Sequence, residues 1–401
     1  MKEKHIILRV SGAGTRGGGI LSRGPMATPL GGVDPAAMSV EVDALDASDI
    51  TRVARNRDVL CVAPSIPMML IAPVSTAAAP SAQPAAAPVD WGVHAVGADS
   101  SPFTGDGIVV AVLDTGIDSS HKAFDGVTLV RQNFTEDTED GDVHGHGTHC
   151  AGTIFGRDVD GTRIGVARGV KKAVIGKVIG ANGGGSDQIA SAIQWAVNEG
   201  AHVISMSLGM DFPGFQKRLM EQFGFPAELA TSRALEGYRA NVLLFARLAG
   251  TVKAMAGFGK STIIVAAAGN ESRTDQNPDF KIAVSPPAVS DGVVSVAALG
   301  SGPSGFVVAP FSNTGAMVAG PGVDITSAKP GGGLTVMSGT SMATPHVAGV
   351  AALWAQKLKA SGPLNPGLLT TRVVGSGATA GMMPGFDPMD VGSGMVSAPQ
   401  N

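Results

Sequence analysis

The chain has 401 residues, 44% hydrophobic and 15% charged, which suits a large folded domain with a small companion and excludes a disordered polyelectrolyte. A net charge of −4 with no basic run gives no electrostatic case for nucleic acid or an anionic membrane. Its 56 glycines follow no three-residue period, so they imply tight turns rather than a collagen-like rod.

The N-terminal MKEKHIILRVSGAGTRGGG has too short an apolar run for a secretory signal. No stretch reaches the roughly 18 apolar residues of a membrane span. The expected product is therefore soluble and made in the cytoplasm, with export by a non-classical route left open. Ile6–Val10 reads as a strand, followed by glycine-rich sequence and a second strand at Ser39–Val42. Asp46 is placed to cap a helix over Ala47–Arg57, with Ile50, Val53 and Ala54 on one face. Val59–Ala63 and Met68–Ile71 complete a small α/β module over 1–74. STAAAPSAQPAAAP, residues 75–88, has little to bury and reads as a linker.

From residue 89 onward, apolar strands at Ile108–Leu113, Ala173–Ile179, His202–Met206, Thr262–Ala267 and Val293–Ala297 alternate with helical segments. The helices are expected at Gly147–Ile154, Ser186–Glu199 and Ser232–Met255, the last packing Leu235, Tyr238, Val242, Phe245 and Val252 on the sheet. Continuous apolar strands between helices predict a parallel sheet covered on both faces. Cys61 and Cys150 fall in different segments, so no disulfide is expected.

Three islands carry chemistry. Asp114 ends the strand VVAVLD, where open α/β sheets place their sites, although a turn-capping acid fits the same pattern. His146 lies in HGHGTHCAG, whose small residues let a helix start against other backbone. Three nearby histidines raise a metal site, but no HExxH pattern or third-ligand cluster supports one. His149 is expected to be structural, held by a local hydrogen bond. Ser341 follows a glycine and opens the helix of SGTSMATPHVAG; an ordinary N-cap would explain it alone.

DTGID, HGTHCAG and GTSMATPHVAG resemble the signature segments of the subtilisin-like serine peptidases, in the order that family uses. The resemblance runs from Trp91 to the C-terminus and includes WGVHAVGA and GSGMVSAP. It implies a three-layer α/β/α fold with a mostly parallel central sheet, preceded by a small α+β propeptide-like module. It also implies a catalytic triad: Ser341 as nucleophile, His146 as base and Asp114 fixing the imidazole. His144, His149, His346 and Asp118 do not align with the catalytic positions. Asn270, in AAAGN, aligns with the side-chain donor to the oxyanion.

Gly183, Gly184 and Gly185 align with one substrate-pairing edge, and Ser207, Leu208 and Gly209 with the other. The implied substrate is polypeptide, with broad or apolar specificity and no cofactor required for catalysis. Many relatives bind structural calcium, yet the position nine residues after Asp114 is Ala123; Asp125, Asp158 and Asp160 are the nearby acids. Residues 211–229 extend beyond compact relatives and carry Phe212, Phe215, Phe223 and Phe225, as either a cleft flap or a packed surface insertion. By size, position and element order, the N-terminal module resembles an inhibitory propeptide that is cut off near the linker. Peptide ligation on the same acyl-enzyme and catalytically silent peptide binding are the competing functions.

Overall fold

The computed structural model describes residues 2–11, 37–74 and 88–401. Residues 75–87 of the expected linker lie outside the described residues.

Strands rich in valine, isoleucine and alanine pair here because both of their faces can be buried. The main sheet has eight strands, and along it run 305–308, 293–302, 263–267, 203–206, 109–114, 172–177 and 128–133. The eighth, Val318–Pro321, pairs with Val293–Gly302 off this path. All pairings are parallel except that of Gly305–Val308. The helices His146–Phe155, Thr340–Lys359 and Pro366–Gly375 pack together on one face; Ser186–Asn198 and Ala227–Ala254 pack on the other. This is a three-layer α/β/α arrangement, and one core runs through all its layers.

The expected strands and helices are present with shifted ends. Thr128–Asn133 and the hairpin Ile325–Ala328 with Leu334–Met337 were not apparent, because all three lack the apolar runs of the centre, and the first and last are also partly exposed. The long helix starts earlier than expected, at Ala227, and its buried stripe differs. Asn241, Leu244, Phe245, Leu248 and Val252 are buried, whereas Leu235 is 54% exposed. Its N-terminal half leaves the sheet and packs on the insertion, so the packing face turns toward a different neighbour. The insertion forms the helix Phe212–Phe223, seated on Ala230 and Ala234 through Leu219, Phe212, Phe215 and Phe225.

At the N-terminus, Glu3–Ser11 runs between Ala37–Leu45 and Val59–Pro64 in an antiparallel sheet. The helix Ala47–Ala54 begins at Asp46, whose carboxylate accepts from Ser48 and Asp49 amides. Strand alternation divides the apolar side chains. Ile7, Leu45 and Val53 form a small core under that helix, while Ile6 and Leu8 are fully buried in the main core. Three buried side chains are few for independent stability, so docking on the large domain supplies most of the burial. Gln194 anchors this sheet edge: its Oε1 accepts from Val40 N at 2.8 Å and its Nε2 donates to Met38 O at 2.9 Å.

The segment Pro67–Leu70 does not join that sheet. It lies antiparallel between Gly184–Gly185 and Leu208–Met210. No described helix is long and apolar enough to cross a membrane.

Candidate active site

The strand Val109–Asp114 delivers Asp114 to the C-terminal edge of the sheet, 1% exposed. Its Oδ1 accepts from the Thr115 amide and lies 2.8 Å from His146 Nδ1. His146 is the first residue of its helix, entered through Gly145 at φ 94°. A Cβ on Gly147 would sit 2.2 Å from the Gly116 carbonyl oxygen, so only glycine lets this helix start against the Asp114 strand.

Asp142 builds the intervening turn, and the sequence reading passed over it. One oxygen accepts from the Thr115 hydroxyl at 2.9 Å and from the Gly145 amide at 2.8 Å; the other takes the Thr148 amide and hydroxyl at 2.8 and 2.7 Å. An acid four residues before His146 was the available signal, but only the folded turn shows how many donors it collects.

Burial alone would lower the basicity of His146. The Asp114 carboxylate beside Nδ1, joined by the Cys150 sulfur one helical turn away, overrides it and holds the ring well above its ordinary 6.5. Burial keeps the rings of His149 and His346 neutral, lowering His149 to about 3 and His346 to about 4. His149 is held by the distant carbonyl of Ile325 at 3.0 Å rather than by a local bond. His346 Nδ1 donates to Met342 O at 2.8 Å.

Ser341 is the second residue of the helix Thr340–Lys359 and is fully buried. Its Oγ donates to Ile71 O at 2.8 Å, with Ser207 O at 3.5 Å. His146 Nε2 is buried with no hydrogen-bond partner among the described residues, leaving the ring nitrogen that would receive the hydroxyl proton unoccupied. Asn270, after the buried strand Ile263–Ala267, holds this helix start: its Oδ1 accepts from the Thr340 amide at 2.9 Å and hydroxyl at 2.8 Å. Its Nδ2 donates to Ala72 O at 3.0 Å.

Both expected edges lie against the N-terminal segment. Gly184 and Gly185 pair with Met68 and Pro67, while Gly183, at φ 83°, turns back to pair with Gly180. Opposite them, Leu208 pairs with Leu70 and Gly209 with Met69, and Ser207 O accepts from Ile71 N at 3.4 Å. Met210, paired with Met68, extends this edge beyond the expected residues. Phe212 and Pro213 of the insertion line a cavity of about 460 Å³ beside Met69, Leu70 and Ile71, so the insertion is packed and also forms part of the cleft wall.

Among the described residues, Asp114, His146 and Cys150 bring possible ligand atoms within 4.8 Å of one another, but the Asp114 oxygen and the Cys150 sulfur both face His146 Nδ1, the nitrogen already engaged in the 2.8 Å contact with Asp114. Asp158 and Asp160, considered above for calcium, are paired with Arg168 and Lys122. Cys61 and Cys150 are free and buried.

A mostly parallel sheet carrying an Asp–His pair at one strand end, with a serine at a facing helix start, makes a three-layer α/β/α scaffold whose polar side chains gather at one edge of the sheet. The sequence model of the subtilase family matches residues 105–373, and the chain belongs to that family. It is 34% identical over 280 residues to the subtilisin-like serine protease Pen ch 13 of Penicillium rubens, covering 65% of this chain and 58% of that protein. Subtilisin-like protease 6 of Trichophyton rubrum is 33% identical over 288 residues, 68% of this chain and 60% of its own length. The same-named protein of Trichophyton equinum is 35% identical over 272 residues, 66% and 55% respectively. The chain thus spans less than two thirds of the length of these relatives.

Proposed function

We propose that the protein is a serine endopeptidase made as a precursor that cuts its own N-terminal segment. The observation that carries this reading is the path of Pro67–Ile71. It lies as an extended strand between the two cleft edges, with the Ile71 carbonyl 2.8 Å from Ser341 Oγ. Backbone pairing on both sides holds a peptide with modest demand on its side chains. Ile71, 5% exposed, directly precedes the reacting bond and Met68, 0% exposed, lies three residues before it, so the cleft favours apolar residues at both places.

Chemistry requires the Ser341 hydroxyl to turn from the Ile71 oxygen to His146 Nε2. His146 then takes the proton as Oγ bonds to the Ile71 carbonyl carbon, and Asp114 stabilises the imidazolium. Asn270 Nδ2, which donates to Ala72 O here, would have to swing to the Ile71 oxygen, where it and the Ser341 amide would hold the developing oxyanion. Collapse breaks the Ile71–Ala72 bond, and His146 returns its proton to the Ala72 nitrogen. Water, deprotonated by the same ring, hydrolyses the ester and restores Ser341. The freed N-terminal segment stays in the cleft as an inhibitor until it dissociates.

The present hydrogen bond from Ser341 to the Ile71 oxygen also suits a second reading, a cleft that holds a peptide without cutting it. Mapping the N-termini of expressed wild type beside Ser341→Ala separates the two. Cleavage after Ile71 in wild type alone is expected. Full-length chain in both, with no labelling of wild type by a fluorophosphonate, overturns the peptidase reading.

A further inference from the structure

The contacts of the N-terminal segment continue well past Met68. Ile66 exchanges two bonds with Ser186 at the start of a helix: its amide donates to Ser186 Oγ at 3.1 Å, and its carbonyl accepts from the Ser186 amide at 2.9 Å. Its side chain is 1% exposed and lies against Gly237 of the helix Ala227–Ala254. One turn along that helix, Asn241 Nδ2 donates to Pro64 O at 3.0 Å.

Two features of this wall are poorly suited to simple helix packing. Glycine in a helix interior is a weak helix former, yet a Cβ at 237 would come 3.4 Å from Ile66 and 3.3 Å from Phe215 of the insertion. Asn241 is fully buried, and its Oδ1 has no partner among the described residues. An apolar residue would satisfy a plain helix contact better than a half-satisfied amide. Gly237 instead makes room for Ile66, and Asn241 Nδ2, besides donating to Gly237 O one turn back, bonds to Pro64 at the end of the strand Val59–Pro64.

We infer that Ser186, Gly237 and Asn241 form an extended recognition groove for polypeptide substrates. It reads the sixth and eighth residues before the scissile bond, taking a branched apolar side chain at the sixth and a backbone carbonyl at the eighth. This rests on the peptidase reading above and deepens it. The insertion supports the groove, because Phe215 closes the far side of the Gly237 gap. Substrates long enough to reach it gain a burial and up to three hydrogen bonds outside the reacting centre.

The test compares two end-blocked peptides copied from this chain, Pro67–Val74 and Ala63–Val74, on wild type expressed at full length and assayed once its N-terminal segment has been cut and has dissociated from the cleft. The longer peptide is expected to have roughly tenfold higher kcat/KM, the scale of a few net hydrogen bonds and one buried side chain. Asn241→Ala and Gly237→Leu should each bring that ratio toward one while cutting Pro67–Val74 at the wild-type rate, which also reports correct folding. Wild type that labels with a fluorophosphonate but does not favour the longer peptide overturns this inference alone. A ratio unchanged in both variants does the same. Wild type that neither labels nor cuts either peptide overturns the peptidase reading, and the inference falls with it.

Discussion

Replacing Asn270 by alanine separates the two jobs this side chain holds. Its Nδ2 faces the cleft and reaches Ala72 O, while its Oδ1 accepts two bonds from Thr340, the residue before Ser341. Losing one such donor costs subtilisin-type peptidases about 2.7–4 kcal/mol, roughly 10²–10³ in kcat, and that family value sets the scale. Losing the two Thr340 bonds adds a stability cost of about 1–3 kcal/mol at the usual net worth of a hydrogen bond. Asn270→Asp distinguishes these effects. It keeps an acceptor for Thr340 but presents a negative oxygen to the developing oxyanion. The expected result is a kcat at least as low as that of Asn270→Ala, with a thermal midpoint closer to wild type. Activity is read as kcat and KM on a peptide anilide with an apolar residue before the scissile bond. Stability is read in a Ser341→Ala background, where self-digestion is removed. A kcat for Asn270→Ala within about fivefold of wild type, or an aspartate variant faster than the alanine one, would refute the assignment.

Three further outcomes follow from the geometry. His146 must be neutral to accept a proton, and Asp114 holds it protonated to higher pH, so the rising limb of kcat/KM should have its midpoint above 6.5. Asp114→Asn should lower that midpoint and cut kcat by roughly 10⁴; a limb that stays in place would contradict the pairing. A Cβ on Gly209 would lie 3.4 Å from Ile71 Cδ1 and 3.0 Å from Ser285 Oγ. Gly209→Val should therefore cut kcat/KM for substrates with isoleucine before the scissile bond by roughly 10-fold or more and spare those with alanine; equal losses on matched peptides would count against that pocket. Gly147→Ala drives a Cβ into the Gly116 carbonyl and should destabilise the fold by about 3 kcal/mol, read as a fall in thermal midpoint in the Ser341→Ala background. An unchanged midpoint would show that the helix start can shift to make room.

Chain-local pattern was enough for the central strands, because a strand buried on both faces must be apolar throughout. It also marked Asp114, His146 and Ser341, since the small residues around them have few other reasons to cluster. The edge strand Thr128–Asn133 escaped notice because an exposed edge carries no such constraint. The buried face of the long helix was misjudged for a related reason: one half packs on the sheet and the other on the insertion, and periodicity does not reveal a change of neighbour.

The α/β class and the order of the three chemical islands could be read from the chain alone. These depend on side-chain chemistry and short-range spacing. Tertiary structure decided which groups meet. It brought Asp142 under five donors, set the Asp114–His146 pair at 2.8 Å and paired Gly183 with Gly180 in a turn beside the edge that Gly184 and Gly185 form. It also laid Pro67–Ile71 along the cleft and set Asn241 against Pro64, residues 177 positions apart. Contacts at such separations depend on the packing of whole layers, which no local pattern encodes.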